Sequence, residues 1–505
     1  HARLDRRYTG MYECRVRQDA VSDQHPGRWC NIRTRFPAGR QHNRPGCSRL
    51  MDFSPAALKR ALSSCPGTSH YWVAFSGGVD SHVLLHALAA QQPLPGAALG
   101  AVHVNHGLQA DAGHWQEHCR AVCQALDLPY VDLRVDGRPA AGESPEAAAR
   151  HARYRALREW LPAGHCLLTA QHLDDQAETL LLQLLRGSGV RGLAAMPAVT
   201  EFGAGHLLRP LLAFTRQGLV AYARHHDLRW IEDPSNADTG IDRNYLRHRI
   251  MPLLRERWPA ASETLARSAG HCAGAADLLT GLAGRDIAAL SPGETKTLPV
   301  TGLRQLPPGR RRNALRHWIA ARGAPVPSTA VLSRIETDML ESRMDAEPCV
   351  CFGHHEIRRY RDRLYLVMQS PLPPQDRVLE WNPEAPLELP DAGGLLSARE
   401  VSGSGIRRSA MQRAVQVAFR RGGERCRPAG RRHHHVLKKL LQEQGVPPWE
   451  RRRLPLIYIG ERLAAVAGLW VCEPFAAGPG EAGLEIRWQH RPLEPEPSGA
   501  GASAC

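Results

Sequence analysis

The chain lacks the marks of membrane, secreted and disulfide-bonded proteins. No apolar run reaches the roughly 20 residues that a bilayer-spanning helix needs, and no segment reads as a signal peptide. Thirteen cysteines are present, but they follow no repeating frame. None forms a C-x-x-C pair: Cys119 and Cys123 are four apart, and Cys349 and Cys351 two apart. A chain of 505 residues needs no disulfide scaffold to build a core, so a reduced, cytoplasmic setting is expected. The glycine turn at Gly77-Gly78 follows neither of two common nucleotide motifs: it is not a G-x-x-x-x-G-K-[ST] loop with a lysine for the β- and γ-phosphates, and it is not G-x-G-x-x-G.

Charge of one sign is in excess. The formal net charge is +15 and the sequence pI about 9.5, which favours a polyanionic partner, nucleic acid first. A merely basic soluble protein is the plainer alternative. The length predicts two to four domains. Residues 1–50 carry eleven arginines, from Arg3 to Arg49, and no hydrophobic period. They are expected to form a basic, disordered extension. An over-extended translation, an RNA-binding arm and a targeting peptide remain open, the last weakened by Asp5, Glu13, Asp19 and Asp23. Met51 opens the first well-patterned segment. A chain beginning there is expected to fold and act as the full chain does. Loss of soluble, active protein on that truncation would overturn the expectation.

From 51 to about 190, apolar runs alternate with helical periods. Strands are predicted at Tyr71–Phe75, Ala98–Val104, Tyr130–Val135 and Cys166–Ala170, with helices near 82–91, 111–126, 145–161 and 174–186. This rhythm predicts an α/β fold, a doubly wound parallel sheet covered on both faces, within a domain spanning 51–255. A helical linker region is expected from about 215 to 290, and a mainly helical middle domain over 256–370, with helices at Arg310–Arg322 and Thr329–Met344 and a hairpin over 357–367. The proline-rich linker Pro371–Pro374, a small α+β domain over 375–490 with a helix at Val436–Gln444, and a disordered tail at 491–505 complete the organisation.

Ligands of such sheets sit beyond the carboxyl ends of the strands, and three motifs converge there. The first is Ser76-Gly77-Gly78-Val79-Asp80-Ser81. Its glycines permit a tight turn, and free N–H groups at the helix start point at any anion bound there. The bland alternative is an ordinary turn with a Ser/Asp cap. The second is Asn105-His106, where His106 either contacts a phosphate or base or simply caps the strand. The third is Asp174, Asp175 and Glu178, spaced to share a helical face. This cluster could hold Mg²⁺ or an ammonium group, or be a solvated first turn favoured by the dipole. The segments Trp230–Asn236 and Arg243–Arg247 read on their own as no more than a capped helix start.

Between Arg407 and Arg453 stand fourteen Lys/Arg against three Glu, an excess suited to phosphates. Within it Trp449 either stacks on a base or anchors a turn. The adjacent His433, His434 and His435 cannot converge well on one metal ion, so phosphate contact or plain exposure is expected of them.

Ser76–Ser81 resembles the pyrophosphate loop of the ATP-pyrophosphatase (PP-loop) superfamily. Five ordered blocks together resemble the tRNA(Ile)-lysidine synthetases: Phe75–Ser81, His103–Leu108, His172–Thr179, Arg186–Gly189 and Glu232–Arg247. Three C-terminal pieces add to the resemblance, Phe419–Glu424, Leu437–Glu443 and Val446–Trp449. It covers most of 51–490 but not 1–50.

The resemblance implies a ligase that adenylates the wobble cytidine of a CAU-anticodon tRNA(Ile) with ATP, releases pyrophosphate, and joins free L-lysine to C2 of the base. It implies that Ser76, Gly77, Gly78, Val79, Asp80, Ser81 and His106 bind ATP, with Asp80 beside Mg²⁺. Asp80, Asp175 and Glu178 would be catalytic. Asp174, Asp175, Glu178, Arg243 and Arg247 would face lysine or the base, and Arg431, Arg432, Lys438 and Lys439 would hold tRNA. Gln171 and Gln109 depart from the family's usual His and Arg. A homodimer is left open. The rivals are a tRNA thiolase of the same superfamily, which ordinarily has paired cysteines, and a non-catalytic RNA-binding relative.

Overall fold

The computed structural model describes residues 53–62, 67–94, 96–105, 107, 112–138, 145–294, 296–343 and 346–490. The expectations for 1–50, for His106 and Gln109, and for the tail 491–505 lie outside these residues.

The N-terminal half begins with α1 (Pro55–Leu62), β1 (His70–Ala74), α2 (Val79–Ala89), β2 (Ala98–Asn105) and α3 (Ala112–Ala125). It continues through β3 (Tyr130–Arg134), α4 (Pro145–Trp160), β4 (His165–Leu168), α5 (Leu173–Leu185) and α6 (Val190–Leu193). The hairpin β5 (Val199–Phe202) and β6 (Gly205–Leu208) leads to α7 (Arg216–His225), α8 (Asp242–Tyr245) and α9 (Met251–Arg257). The six strands lie in the order β3-β2-β1-β4-β6-β5. All neighbours are parallel except the edge pair β5/β6.

Alternation along β1 explains the two covered faces. Tyr71 and Val73 join α1, α2 and α7 residues in one core, whereas Trp72 packs with Val102, Leu157 and Leu167 in the other. Each fully buried Leu or Val contributes roughly 1.5–3 kcal/mol. The chain winds outward in opposite directions from β1, to β2 on one side and β4 on the other. The gap between the carboxyl ends of β1 and β4 is therefore the topological switch point, where such sheets bind ligands. The predicted strands are all present with ends shifted by a residue or two. The β5/β6 hairpin is additional.

A 30-residue helix, α10 (Ala261–Leu290), lies along α5 and α6 and reaches the middle region. There follow β7 (Thr297–Pro299), α11 (Val300–Gln305), α12 (Pro308–Ala321), α13 (Thr329–Arg334), β8 (Cys349–Phe352), β9 (His355–Tyr360) and β10 (Arg363–Met368). The expected hairpin is β9/β10. It is the centre of an antiparallel sheet ordered β7-β10-β9-β8, so this region is less purely helical than its sequence predicts. The edge strands are only three and four residues long, too short to show a period.

The C-terminal part contains β11 (Val378–Glu380), β12 (Leu387–Leu389), β13 (Gly394–Ser402), β14 (Ile406–Arg407), β15 (Val415–Ala418), β16 (Arg425–Cys426) and β17 (His435–Val436). Helices α14 (Leu437–Glu443) and α15 (Pro448–Arg451) come next, then β18 (Leu456–Ile459), β19 (Arg462–Val466), β20 (Trp470–Val471) and β21 (Ala482–His490). Two sheets, β11-β15-β18-β19-β20 and β12-β13-β21-β14, enclose one core. Trp449 joins this part to the middle sheet. Its ring meets Tyr365 and Tyr360 edge-on, and the Arg358 guanidinium lies 5.5 Å from its centroid. The anchoring alternative for Trp449 is the one the structure displays. No helix among the described residues is long and apolar enough to cross a membrane.

Candidate active site

The loop after β1 is built from the hydrogen-bonding habits of its own residues. Gly77 has φ +81°, a left-handed conformation that glycine adopts without strain. A Cβ there would also come within 2.9 Å of Ile231. The Ser81 hydroxyl accepts from the Ser76 N–H at 3.2 Å and donates to the Gly78 carbonyl at 3.0 Å, while the Ser76 and Ser81 hydroxyls lie 3.1 Å apart. Gly78 caps α2 without any side-chain acceptor. The first-turn N–H groups of an 11-residue helix thus face the cleft with the positive dipole end. That is a cradle for a polyphosphate.

Asp80 stands in this first turn with one oxygen, Oδ1, buried and without a hydrogen-bond partner. Burial pushes its carboxyl above the usual carboxylate range, and the nearby Asp175 adds to the rise. The charges of His172, Arg216 and Arg247 pull the other way without cancelling it. An unpartnered carboxylate oxygen next to a phosphate cradle is a fitting ligand for a hard cation such as Mg²⁺.

Across the switch point, α5 supplies the second wall. Its preceding residue, His172, is buried, with Nε2 3.8 Å from Asp80 and 3.4 Å from Asp175. The His172 N–H donates to Asp175 Oδ2 at 2.9 Å. Glu178 is 2% exposed and is gripped by two arginines from α8 and the wide π-type turn Leu246–Ile250 that follows it. Arg243 Nε donates to Glu178 Oε2 at 2.9 Å and Nη2 to Asp175 Oδ1 at 3.2 Å. Arg247 donates to both Glu178 oxygens at 2.8 and 2.9 Å and to Asp175 Oδ1 at 2.9 Å. Burial alone would lower the Arg247 guanidinium, but Glu178, Asp175 and Asp80 more than compensate and hold it above its ordinary value.

Asp174 is turned aside. One of its oxygens accepts from Arg255 and the Ser262 hydroxyl, and the other from the Arg216 N–H at 2.8 Å. Burial would raise this carboxyl, yet the Arg216 N–H, the Ser262 hydroxyl and the charges of His172 and Arg255 hold it below the usual range. Asp174 therefore ties α5 to the starts of α7 and α10.

The structure thus brings Asp80, Asp175, Glu178, Arg243 and Arg247 to one place. It keeps Asp174 beside them with different partners, and it puts Arg431, Arg432, Lys438 and Lys439 on an exposed surface of the C-terminal part. Two contributors were given no role by the sequence reading. His172, quoted only as the first residue of the His172–Thr179 block, bridges the walls. The Trp230–Glu232 segment closes over the loop, the Ile231 N–H donating to the Gly77 carbonyl at 2.9 Å. That contact has no local signature.

Three carboxylates meet two guanidiniums here. If all five are charged, the cluster keeps a surplus negative charge for a cation to meet. Glu178 and Asp175 each accept three of the roughly four hydrogen bonds an ionised carboxylate can take.

Three family profiles match the chain. One described as a PP-loop domain matches residues 54–254, a TilS substrate binding domain matches 298–365, and a TilS substrate C-terminal domain matches 415–488. Among curated relatives, the tRNA(Ile)-lysidine synthase of Coxiella burnetii is 43% identical over 437 residues, covering 86% of this chain and 97% of the relative. That of Methylococcus capsulatus is 46% identical over 426 residues, with coverages of 84% and 97%. That of Alkalilimnicola ehrlichii is 45% identical over 433 residues, with coverages of 85% and 96%.

Proposed function

The chain belongs to the tRNA(Ile)-lysidine synthase family, ligases that form a carbon–nitrogen bond, and we propose that its switch-point cluster carries out both halves of that reaction on one tRNA base. In this reading the cytidine C2 oxygen at the wobble position of a CAU-anticodon tRNA(Ile) attacks the α-phosphorus of ATP. Pyrophosphate leaves, and the ε-amine of free lysine then displaces AMP at C2. The reaction belongs in the cytoplasm, with its tRNA.

The observation that carries the proposal is the meeting of the Ser76–Ser81 cradle with the His172–Asp175–Glu178 wall across β1 and β4. The cradle's N–H groups and hydroxyls hold the departing pyrophosphate where charge develops. Mg²⁺ bound beside Asp80 would neutralise phosphate charge. Arg243 and Arg247 hold Asp175 and Glu178 in place through their hydrogen bonds. The acceptor capacity those carboxylates retain is available to the lysine ammonium, and one of them can take its proton, since only the neutral amine attacks. ATP-dependent incorporation of labelled lysine into a CAU-anticodon tRNA(Ile) transcript tests this. Absence of incorporation by folded, tRNA-binding protein would refute it.

A thiolase reading is disfavoured by the cysteines nearest the loop. Cys119 and Cys123 are fully buried, and burial pushes both thiols up to about 12, far from the thiolate that sulfur transfer needs.

Because methionine tRNA shares the CAU anticodon, reading near the base cannot discriminate, and more of the tRNA must be held. We assign this to the C-terminal surface. Arg432, Lys438 and Lys439 are exposed there, as is Arg431, which pairs with Glu443 at 2.8 Å. Replacing all four with alanine should raise KM for tRNA and make the salt slope shallower by up to about four, roughly one per released phosphate contact. KM for ATP and lysine should hardly move. An unchanged tRNA affinity and salt slope would reassign the surface to stability or dimerisation.

A further inference from the structure

The outer edge of the middle sheet carries chemistry that the reaction does not use. β8 is an edge strand, and a strand's period of two sends Cys349 and Cys351 to one face. Their Sγ atoms lie 3.8 Å apart. Antiparallel pairing places Glu356 of β9 opposite Cys351, with Oε1 3.9 Å from its Sγ. The three ligand atoms all lie within 4.8 Å of one another. A tetrahedral ion with metal–sulfur bonds of about 2.3 Å and a metal–oxygen bond of about 2.0–2.2 Å requires ligand separations of roughly 3.5–3.8 Å, so small rotations suffice. The second Glu356 oxygen accepts from Arg358 Nε at 2.6 Å, which keeps Oε1 turned toward the sulfurs. Arg358, opposite Cys349 in the register, also offsets the surplus charge that two thiolates and a carboxylate would leave around a divalent ion. Partners of this kind orient and tune a metal ligand.

We infer that Cys349, Cys351 and Glu356 form a binding site for a soft divalent metal ion of the zinc class, its fourth position taken by water. Cys351 is exposed and Cys349 half-buried, so the ion can enter from solvent. Binding forms two metal–sulfur bonds, releases one proton from each sulfur to solvent and changes no oxidation state. Affinity therefore rises with pH. Glu356 also lines a cavity of about 740 Å³ shared with His354, Trp449 and Arg452, so the ion would brace the strand edge where the middle and C-terminal parts meet.

Titration of the full, chelator-treated chain with Co²⁺, read by sulfur-to-cobalt charge-transfer absorption, tests the site. A stoichiometric band is expected, displaced by Zn²⁺, with proton uptake on addition of chelator. Cys349→Ser with Cys351→Ser should abolish it, Arg358→Gln should weaken affinity about 10-fold with the band retained, and Cys272→Ser should leave it unchanged. No thiolate band in the parent, or an equal band in the double serine variant, would overturn the proposal. Should that variant fail to fold, Glu356→Gln decides. A loss of about 10-fold or more supports the three-ligand site, and unchanged affinity overturns it.

Discussion

Replacing Asp80 with alanine is expected to abolish ATP-dependent pyrophosphate release while the protein stays folded. The side chain sits in the first turn of α2, directly after the phosphate cradle, and its Oδ1 is buried without a hydrogen-bond partner. Losing one preorganised electrostatic group costs at least ~100-fold in such sites. Stability should not suffer, because no apolar core is emptied and an unsatisfied buried acceptor is removed.

The pH dependence follows from the direction of the shift. Burial raises this carboxyl above its unfolded value, so between the two values the folded state holds the proton and the unfolded state does not. The group's contribution to stability therefore falls as pH rises through that interval. Above it the charged carboxylate costs stability, and Asp80→Ala should be neutral or slightly stabilising at pH 7. Activity runs the opposite way, with adenylation lost as pH falls through the raised value. Pyrophosphate release, thermal melting and a pH–rate profile read these effects. Unchanged release in Asp80→Ala would remove Asp80 from the ATP site.

Glu178→Gln is expected to damage the lysine step more than adenylation, and to destabilise the protein as well. The glutamine keeps the shape but loses the charge. One carboxylate oxygen becomes an NH₂ group facing the guanidiniums of Arg243 and Arg247, which must then share Asp175. Breaking a buried ion pair by removing one partner costs about 3–5 kcal/mol, and here Asp175 retains both arginines and brings the loss toward the lower end. A lower melting temperature, near-normal pyrophosphate release and a large fall in lysine incorporation at saturating tRNA are the expected pattern. Equal loss of both steps would place Glu178 in the ATP site. An unchanged melting temperature would show that the arginine clamp holds without it.

The parts of the site that the sequence carries are the local ones. A turn needing left-handed glycine, a serine five residues on that bonds back to the loop, and carboxylates three apart on a helix are all set within about two helical turns. Strand and helix alternation is equally local, and with the right-handedness of parallel crossovers it leads to the sheet and to the edge where ligands bind.

Spacings of four and three from Glu178 put both on its face and could not tell Asp174 from Asp175. The first turn of α5 presents one toward α7 and α10 and the other toward α8, a choice made by helices more than 40 residues away in sequence. Nor could spacing show that Arg243 and Arg247, 65 to 72 residues from their carboxylate partners, would turn the acidic cluster into a clamped ion network. The same holds for Ile231 closing on Gly77 and for Cys349, Cys351 and Glu356 meeting across two strands. The sequence by itself therefore determined which residues can do phosphate and amine chemistry and which edge of the sheet they occupy, because short-range backbone geometry settles both. Only the tertiary structure decided which charge meets which, because that depends on packing between segments far apart in the chain, and burial then sets the energetic weight of each pair.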